Sequence, residues 1–293
     1  RELFHELEYP LPVKGFDSPF VTVIAGRGCR FNCNYCQPAE RHIFGKKVRR
    51  RSPLNVIQEL EILREKYAFN SLMIHDDCIT EDRAWVVEFV RLYKERGFNK
   101  PFACQSRADI ICRHEDMVEL MAGAGLKLFF IGFESGNQRV LSFIRKGTKV
   151  EHNYKSAEIC RKYGIGIWAN YMMGLPTETE EEIMDTVRMI QTIKPDHYSP
   201  AFFTPHPGSD LYQYVIDKGL FNITSHDHYR RNATGDVKIK GVDYDFLNRA
   251  MLMSMGGMPF IQRMKAAAMP FFGRHQRLRR AVKKIVELTG LKV

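Results

Sequence analysis

The sequence predicts an α/β fold with a parallel sheet of six β/α units, followed by a mostly helical extension. Short β-rich runs alternate with amphipathic helical patterns from residue 20 to residue 221. Such an alternation favours parallel strands joined by right-handed crossovers. After that point the alternation stops, and a polar stretch precedes a methionine-rich helical pattern. We therefore divide the chain into an N-terminal segment (1–19), an α/β unit (20–221) and a helical extension (222–293).

Six strand-like runs define the α/β unit. They are residues 20–25, 71–75, 102–106, 128–132, 165–173 and 197–203. Ser52 and Pro53 are typical of the N-cap and first turn of a helix, which here follows the first run. Thr177 and Glu180 predict a capping box for the helix after the fifth run.

Composition and charge limit the class of protein. Of the 293 residues, 44% are hydrophobic and 27% are charged, which suits one large α/β domain with an appendage. Charged residues interrupt the apolar runs before the roughly 18–20 residues that a transmembrane helix needs. The chain starts without a methionine or a signal peptide, so we expect it to belong to a longer protein. The net charge of +10 is concentrated after residue 262, which disfavours a uniformly basic nucleic-acid binder.

The cysteines point to a metal rather than to disulfides. Their number, seven, is odd, and three of them fall within eight residues. A small disulfide scaffold has an even and denser set. The others, Cys78, Cys104, Cys112 and Cys160, are expected to be packed thiols. We therefore expect a reducing compartment, the cytoplasm, with the clustered thiols kept for a metal.

Cys29, Cys33 and Cys36 form a C-x3-C-x2-C motif directly after the first strand. In a parallel α/β barrel, loops at the carboxyl ends of strands build the active site. Three thiolates can hold three irons of a 4Fe–4S cluster and leave the fourth iron without a protein ligand. Zinc is the alternative, with His42 as a fourth ligand, and spacing alone does not separate the two. The position after a strand, together with the later motifs, favours the cluster.

The motif, with aromatic Tyr35 before its third cysteine, resembles the signature of the radical S-adenosylmethionine (SAM) superfamily. Further motifs from about Pro10 to Leu220 are similar to the cobalamin-dependent branch of that superfamily. They lie at residues 26–29, 49–52, 76–77, 106–109, 132–136, 174–176 and 204–209. The resemblance implies a partial (β/α)6 TIM-like barrel whose open iron binds SAM. One electron from the reduced cluster then cleaves SAM to methionine and a 5′-deoxyadenosyl radical, which abstracts hydrogen from the substrate.

The resemblance also implies roles for acidic residues at strand ends. Asp76 and Asp77 stand where the superfamily usually has a Gly-Gly-Glu sequence that holds the SAM amino group, and here the sequence departs from that pattern. Their alternative role is to cap the next helix. Glu134 is the candidate for the ribose hydroxyls, and its alternative is a buried salt bridge with Arg107.

Four further residues complete the expected SAM site. Ser106 and Arg107 end the third strand and are expected to hold the SAM carboxylate. Gly174 is expected to let the backbone approach adenine, and Pro205 to stiffen a loop over the site. Ordinary strand-to-helix turns are the alternative for both the Gly174 and the Pro205 segments.

The leading function is a cobalamin-dependent radical SAM methyltransferase, or its catalytic part. A radical SAM cyclase or rearrangement enzyme without methyl transfer is one alternative, and a zinc-stabilised nucleic-acid-binding protein is an alternative of another class. The cobalamin-binding domain is not recognisable in this chain, and residues 8–12 resemble the linker that follows it in family members.

Partners are expected from the same reading. They are a small-molecule or lipid-like substrate and an electron donor of the flavodoxin or ferredoxin type, which the basic run 49–51 could receive. No nucleic-acid partner is expected. The tail 269–293 pairs an apolar face with a basic one, which predicts either peripheral contact with the inner face of an anionic membrane or packing on the barrel.

Overall fold

The computed structural model describes residues 16–17, 19–36, 45, 47–229 and 237–256. In chain order the strands are β1 (Phe20–Val23), β2 (Gly26–Arg27), β3 (Arg49–Arg50), β4 (Ser71–Ile74), β5 (Phe102–Ser106), β6 (Leu126–Glu134), β7 (Gly166–Met173) and β8 (His197–Phe202). The α-helices are α1 (Pro53–Lys66), α2 (Arg83–Glu95), α3 (Ala108–Arg113), α4 (Glu115–Gly123), α5 (Gln138–Phe143), α6 (Val150–Lys162), α7 (Glu180–Ile193), α8 (Asp210–Asp217) and α9 (Tyr244–Ser254). Two 3-10 turns lie at Ile79–Glu81 and His226–Tyr229.

Six of these strands form one parallel sheet in the order β1-β4-β5-β6-β7-β8. Each new strand adds beside the one before it, with Val21 opposite Leu72 at one end and Met173 opposite Phe202 at the other. Within the part of the chain that the structure describes, β1 and β8 do not pair with each other, so the barrel stays open. The predicted α/β fold, a partial barrel of six β/α units, is confirmed.

The core forms because the strands are apolar and the helices cover them. Every residue of β4 is buried, and so are most residues of β6. The helices present apolar stripes to the sheet, as Val56, Leu60 and Leu63 of α1 show. Ser52 caps α1 by accepting from the N–H of Asn55, as the sequence predicts.

The capping box predicted at Thr177 and Glu180 is wrong by two residues. Thr179 accepts from the backbone N–H of Glu182, and the Glu182 side chain accepts in return from the N–H of Thr179. Thr177 has a φ of 68°, so it lies in a tight turn before the helix. The residues that the sequence pattern placed at the start of the helix belong instead to the turn after Gly174.

The described part of the segment after residue 221 packs back onto the barrel. Phe221 pairs with Ile239 in an isolated antiparallel bridge. Helix α9 packs against α7, and the hydroxyls of Tyr171 and Ser254 are 2.6 Å apart. The boundary at residue 222 stays a prediction, and the membrane hypothesis for residues 269–293 concerns residues outside the described ranges.

Candidate active site

The three clustered cysteines lie on the loop that leaves the carboxyl edge of the parallel sheet. Cys29 and Cys33 are half-buried, and Cys36 is exposed. The backbone N–H of Cys36 donates to the carbonyl of Cys33 at 3.3 Å, which turns the loop back on itself. At its base, Gly26–Arg27 pairs antiparallel with Arg49–Arg50, a small sheet that the sequence analysis does not predict.

Asn34 ties this loop to two helices. Its side-chain amide donates to the carbonyl of Phe143 at 2.6 Å, and its backbone N–H donates to the carbonyl of Ile144 at 3.2 Å. Its own carbonyl accepts from the N–H of Leu211 in α8, at 3.0 Å. The protein chain itself therefore anchors the loop between the ends of α5 and α8.

The electrostatics of Cys29 and Cys36 fit a site that a cation completes. Desolvation, followed by the charges of Cys33 and Cys29, raises the pKa of Cys36 to about 11. Desolvation also raises the pKa of Cys29, and Asp77 and Cys33 add to that rise. Thiolates are the form that binds metals, so a bound metal must supply the missing positive charge and displace the protons.

The described residues do not contain a site for a single metal ion. Across the described ranges, no three side chains of His, Cys, Asp or Glu lie close enough to ligate one ion. His42, the expected fourth zinc ligand, lies outside the described residues. Three thiols on one loop are the number of protein ligands that a 4Fe–4S cluster with one open iron needs.

Asp76 and Asp77 lie at the carboxyl end of β4 and act on different parts of the loop. Asp76 is buried, and its Oδ1 accepts from the backbone N–H of Ala25 at 2.7 Å. Burial raises the pKa of Asp76. Asp77 is exposed and close enough to Cys29 to raise that thiol's pKa. Neither caps the next α-helix, because Asp82 accepts from the N–H at the start of α2.

Ser106 and Arg107 lie at the end of β5, and of the two Arg107 contacts the cysteine loop. The hydroxyls of Ser106 and Thr80 are 2.7 Å apart and buried. The Arg107 guanidinium lies over the Phe31 ring at 3.7 Å and donates to the sulfur of Cys33 at 3.9 Å. Sequence reasoning placed both side chains at the site but did not anticipate that Arg107 faces a cysteine sulfur.

Glu134 ends β6 and is paired with Lys146, not with Arg107. The Lys146 Nζ lies 2.8 Å from the Glu134 Oε1 and 3.3 Å from the hydroxyl of Tyr35. Both members of the ion pair are buried. Glu134 has a φ of 61°, a costly backbone conformation for a residue other than glycine. The Glu134 side chain folds back over Gly132, where a Cβ would lie 2.3 Å from its Oε1.

Desolvation raises the pKa of Tyr35 well above its usual value, and the neighbouring Glu134 carboxylate raises it further. Tyr35 is therefore a neutral phenol that links the cysteine loop to the Glu134–Lys146 pair. Lys146 is the main site residue that sequence reasoning missed. Its signal was a lysine twelve residues after Glu134, beyond a short helix, which no spacing rule singles out.

A cavity of about 450 Å³ opens beside Glu134, at the carboxyl ends of β6, β7 and β8. Its aromatic walls are Tyr35, Tyr171, Phe202, Phe203 and Tyr229, and its polar groups include Glu134, Asn170, Thr204 and His206. The cysteine loop and the barrel thus share one concave site, because Tyr35 belongs to both. A cavity with apolar walls and a few polar groups is typical of small-molecule sites.

His206 and Lys238 bring the segment after the barrel to this cavity. The His206 and Tyr229 rings are 5.6 Å apart, and burial lowers the pKa of His206. Lys238 is fully buried and donates to the Thr204 hydroxyl at 2.7 Å. Pro205 lies between two residues that line the cavity, so its loop does border the site.

Gly174 does not line the cavity. Its φ is 77°, and an added Cβ would lie 2.6 Å from a methyl carbon of Leu247 in α9. The N–H groups of Gly174 and Leu175 both donate to Glu178, at 2.7 and 3.0 Å. The described structure therefore explains this glycine by a turn and by helix packing, and an approach to adenine stays a prediction.

The basic run after the cysteine loop is largely paired with acids. Arg50 contacts Glu81 and Asp82 at 3.3 and 3.5 Å, and Arg51 contacts Glu59 at 2.6 Å. Arg51 also donates to the carbonyl of Ile24 at the end of β1. These arginines hold the entrance of the loop, a role that the sequence analysis does not predict for this run.

Comparison with protein families and curated proteins identifies relatives of the chain. The model of the radical SAM superfamily matches residues 23–190. The chain is 27% identical to an uncharacterized methyltransferase from Pyrococcus horikoshii, over 88% of this chain and 54% of the relative. It is 30% identical to an anaerobic magnesium-protoporphyrin IX monomethyl ester cyclase from Rubrivivax gelatinosus, over 66% of this chain and 34% of the relative. The chain thus spans about half, or less, of the length of these two relatives.

Solved structures show the same fold. The radical SAM methyltransferase TsrM from Kitasatospora setae, determined with cobalamin and a [4Fe-4S] cluster, superposes with a TM-score of 0.60 at 17% identity, over 71% of this chain and 41% of that chain. The cobalamin-dependent SAM radical enzyme OxsB superposes with a TM-score of 0.61 at 17% identity, over 78% of this chain and 40% of that chain. In the described residues, no helix is long and apolar enough to cross a membrane.

Proposed function

The chain belongs to the radical SAM superfamily, and on that premise we propose that Cys29, Cys33 and Cys36 are the three ligands of its 4Fe–4S cluster. The observation that carries this assignment is the loop itself. Three cysteine thiols lie together on a loop at the carboxyl edge of the sheet, next to a cavity typical of small-molecule sites. When bound and reduced, the cluster supplies the electron that cleaves SAM and generates the 5′-deoxyadenosyl radical.

The residues around the cavity hold the cofactor and keep out water. Glu134 accepts hydrogen bonds from the ribose hydroxyls of SAM, because a carboxylate has about four lone-pair sites and Lys146 uses one of them. Asp77, exposed beside Cys29, can receive the SAM amino group. The role of Asp76 is to hold the start of the loop through Ala25. The aromatic walls exclude water from the reacting groups.

Methyl transfer with cobalamin is the proposed reaction of the whole protein. Relatives named as methyltransferases and the cobalamin-containing structure of TsrM support it. The corrin would be held by a domain outside this chain. Ring formation without methyl transfer is the second candidate, supported by the similarity to the Rubrivivax cyclase. Membership of the radical SAM superfamily argues against the alternative of a zinc-stabilised nucleic-acid-binding protein.

A small acidic protein is the proposed source of the electron. Arg27, Arg30, Lys47 and Arg49 are exposed around the base of the cysteine loop. A surface of one charge attracts a partner of the other charge and speeds their encounter. Flavodoxins and ferredoxins are the class of partner that fits, and we place the reaction in the cytoplasm.

The assignment of the cysteines is tested by anaerobic reconstitution with iron and sulfide. The wild-type chain should turn brown, bind about four irons and form 5′-deoxyadenosine from SAM when reduced. Substitution of Cys29, Cys33 or Cys36 by Ala should abolish the cluster and the product. Cys160→Ala, in a fully buried thiol away from the loop, is the matched control and should keep both. Stoichiometric zinc without a visible chromophore would overturn the assignment.

A further inference from the structure

Arg107 occupies a buried slot directly behind Cys33. The arginine is 6% exposed, and its guanidinium lies over the Phe31 ring at 3.7 Å. One of its terminal nitrogens, Nη1, donates to the sulfur of Cys33 at 3.9 Å, within the range of a hydrogen bond to sulfur. A full positive charge is thus held next to one of the three clustered sulfurs.

Its other nitrogens fix the guanidinium in this position. Nε donates to the carboxylate of Asp109 at 3.0 Å, and Nη2 donates to the carbonyl of Lys146 at 2.6 Å. Asp109 is buried as well and also meets Arg113 at 3.7 Å, whose side chain is 66% exposed. All three nitrogens of Arg107 are engaged, so a SAM carboxylate would have to displace one of these contacts.

We propose that Arg107 is a positioning residue that raises the reduction potential of the cluster, through its hydrogen bond to Cys33 and its buried charge. The proposal rests on Cys33 being a cluster ligand. Reduction by one electron adds negative charge to the cluster, and a nearby cation stabilises that added charge. Hydrogen bonds to cluster sulfurs and the local charge are known to set such potentials. In a partly dry site the effect of the charge is stronger than in water.

The surroundings of Arg107 make the direction of each change predictable. Arg107→Gln removes the cation and should lower the potential. Arg107→Lys keeps the charge, so its reduction potential should stay close to that of the wild type. Asp109→Asn leaves the cation without its buried carboxylate and should raise the potential, the opposite of Arg107→Gln. Arg113→Gln removes an exposed arginine that contacts the same carboxylate, and as the matched control it should change nothing.

The experiment is an anaerobic redox titration of the reconstituted wild-type chain and these four variants, with dithionite as reductant and absorbance and electron paramagnetic resonance as readouts. Iron content is measured first, so that failure of cluster assembly in the wild type, which would reject the cysteine assignment, is seen separately. At a fixed applied potential we expect at least a tenfold lower ratio of reduced to oxidised cluster in Arg107→Gln. A tenfold change corresponds to about 59 mV for a one-electron couple.

Two results would overturn the proposal. The first is a full iron content with the same potential in the wild type, Arg107→Gln and Asp109→Asn. The second is loss of iron in every Arg107 variant together with an unchanged potential in Asp109→Asn, which would make Arg107 a purely structural support of the loop. Opposite shifts in Arg107→Gln and Asp109→Asn, with Arg113→Gln at the wild-type potential, support it.

Discussion

At the scale of single residues, the Glu134–Lys146 pair is the part of the proposed SAM site with the most defined geometry. Its 2.8 Å contact is buried, and the left-handed backbone of Glu134 costs free energy that the pair must offset. Strain of this kind collects at functional sites. This strain and the buried pair support the proposal that Glu134 contributes to a binding site.

Substitution of Glu134 by Ala should weaken SAM binding and leave the cluster spectrum intact. Losing two hydrogen bonds to a charged acceptor costs about 2–4 kcal/mol, or roughly 30- to 1000-fold in affinity. Calorimetry on the cluster-loaded chain measures the affinity for SAM. Glu119→Ala, at an exposed carboxylate on α4, is the control and should bind SAM like the wild type. Equal affinity in Glu134→Ala and the wild type would remove Glu134 from the site.

Glu178 makes the stability of the fold depend on pH. Burial raises the pKa of its carboxyl from 4.5 to about 7, against the lowering effect of the N–H groups of Leu175 and Gly174. The folded state therefore holds this proton more tightly than the unfolded chain. The resulting stabilisation is complete below about pH 4.5 and is lost as the pH rises through about 7.

Urea unfolding at pH 5 and pH 8 measures this effect. The wild type should lose at most about 3 kcal/mol more than Glu178→Gln over that interval, because the Gln variant cannot titrate. Glu180→Gln, at an exposed position two residues away, should follow the wild type. The same pH dependence in Glu178→Gln and the wild type would assign the effect to another group.

At the scale of elements, the cap of α7 shows what the sequence pattern can and cannot locate. The sequence pattern predicts that the helix starts at a Thr with a Glu three residues later. Two such pairs overlap at 177–182. The turn that Glu178 closes around Gly174 and Leu175 decides between them. That turn depends on contacts with α9, which lies about seventy residues further along the chain.

Thr179→Ala should therefore lower the free energy of unfolding by about 1 kcal/mol, the usual value of an N-cap hydroxyl. Thr177→Ala is the matched control and should change it much less, because the Thr177 hydroxyl makes only a 3.3 Å contact with exposed Arg139. Denaturant unfolding at neutral pH measures both. A larger loss in Thr177→Ala would place the cap where the sequence alone puts it.

At the scale of the whole molecule, the described part of the chain provides an open barrel, a cysteine loop and a cavity beside that loop, which suit the proposed radical step. The cavity of about 450 Å³ lies beside Glu134 at the carboxyl ends of the strands. The edges of the sheet, β1 and β8, leave the barrel open on one side. A second domain placed against the barrel would complete the site.

A protein in which this chain is joined to a corrin-binding domain should bind cobalamin and transfer a labelled methyl group from SAM. The 293-residue chain alone should bind cobalamin poorly, while still forming 5′-deoxyadenosine. Cobalamin absorbance after anaerobic purification, and mass spectrometry of the methylated product, measure the two. A longer protein that makes 5′-deoxyadenosine but neither binds cobalamin nor transfers methyl would favour the cyclase candidate.

The sequence by itself determined the order of the six β/α units and the three cysteines of the loop. Apolar periodicity and close Cys spacing are local properties, so they can be read along the chain. Only the tertiary structure decided that Lys146 pairs with Glu134, that Arg107 faces Cys33, and that Asp76 holds Ala25. These contacts join residues from twelve to seventy-four positions apart. No local pattern encodes them, because they arise where separate strands and helices end at one edge of the sheet.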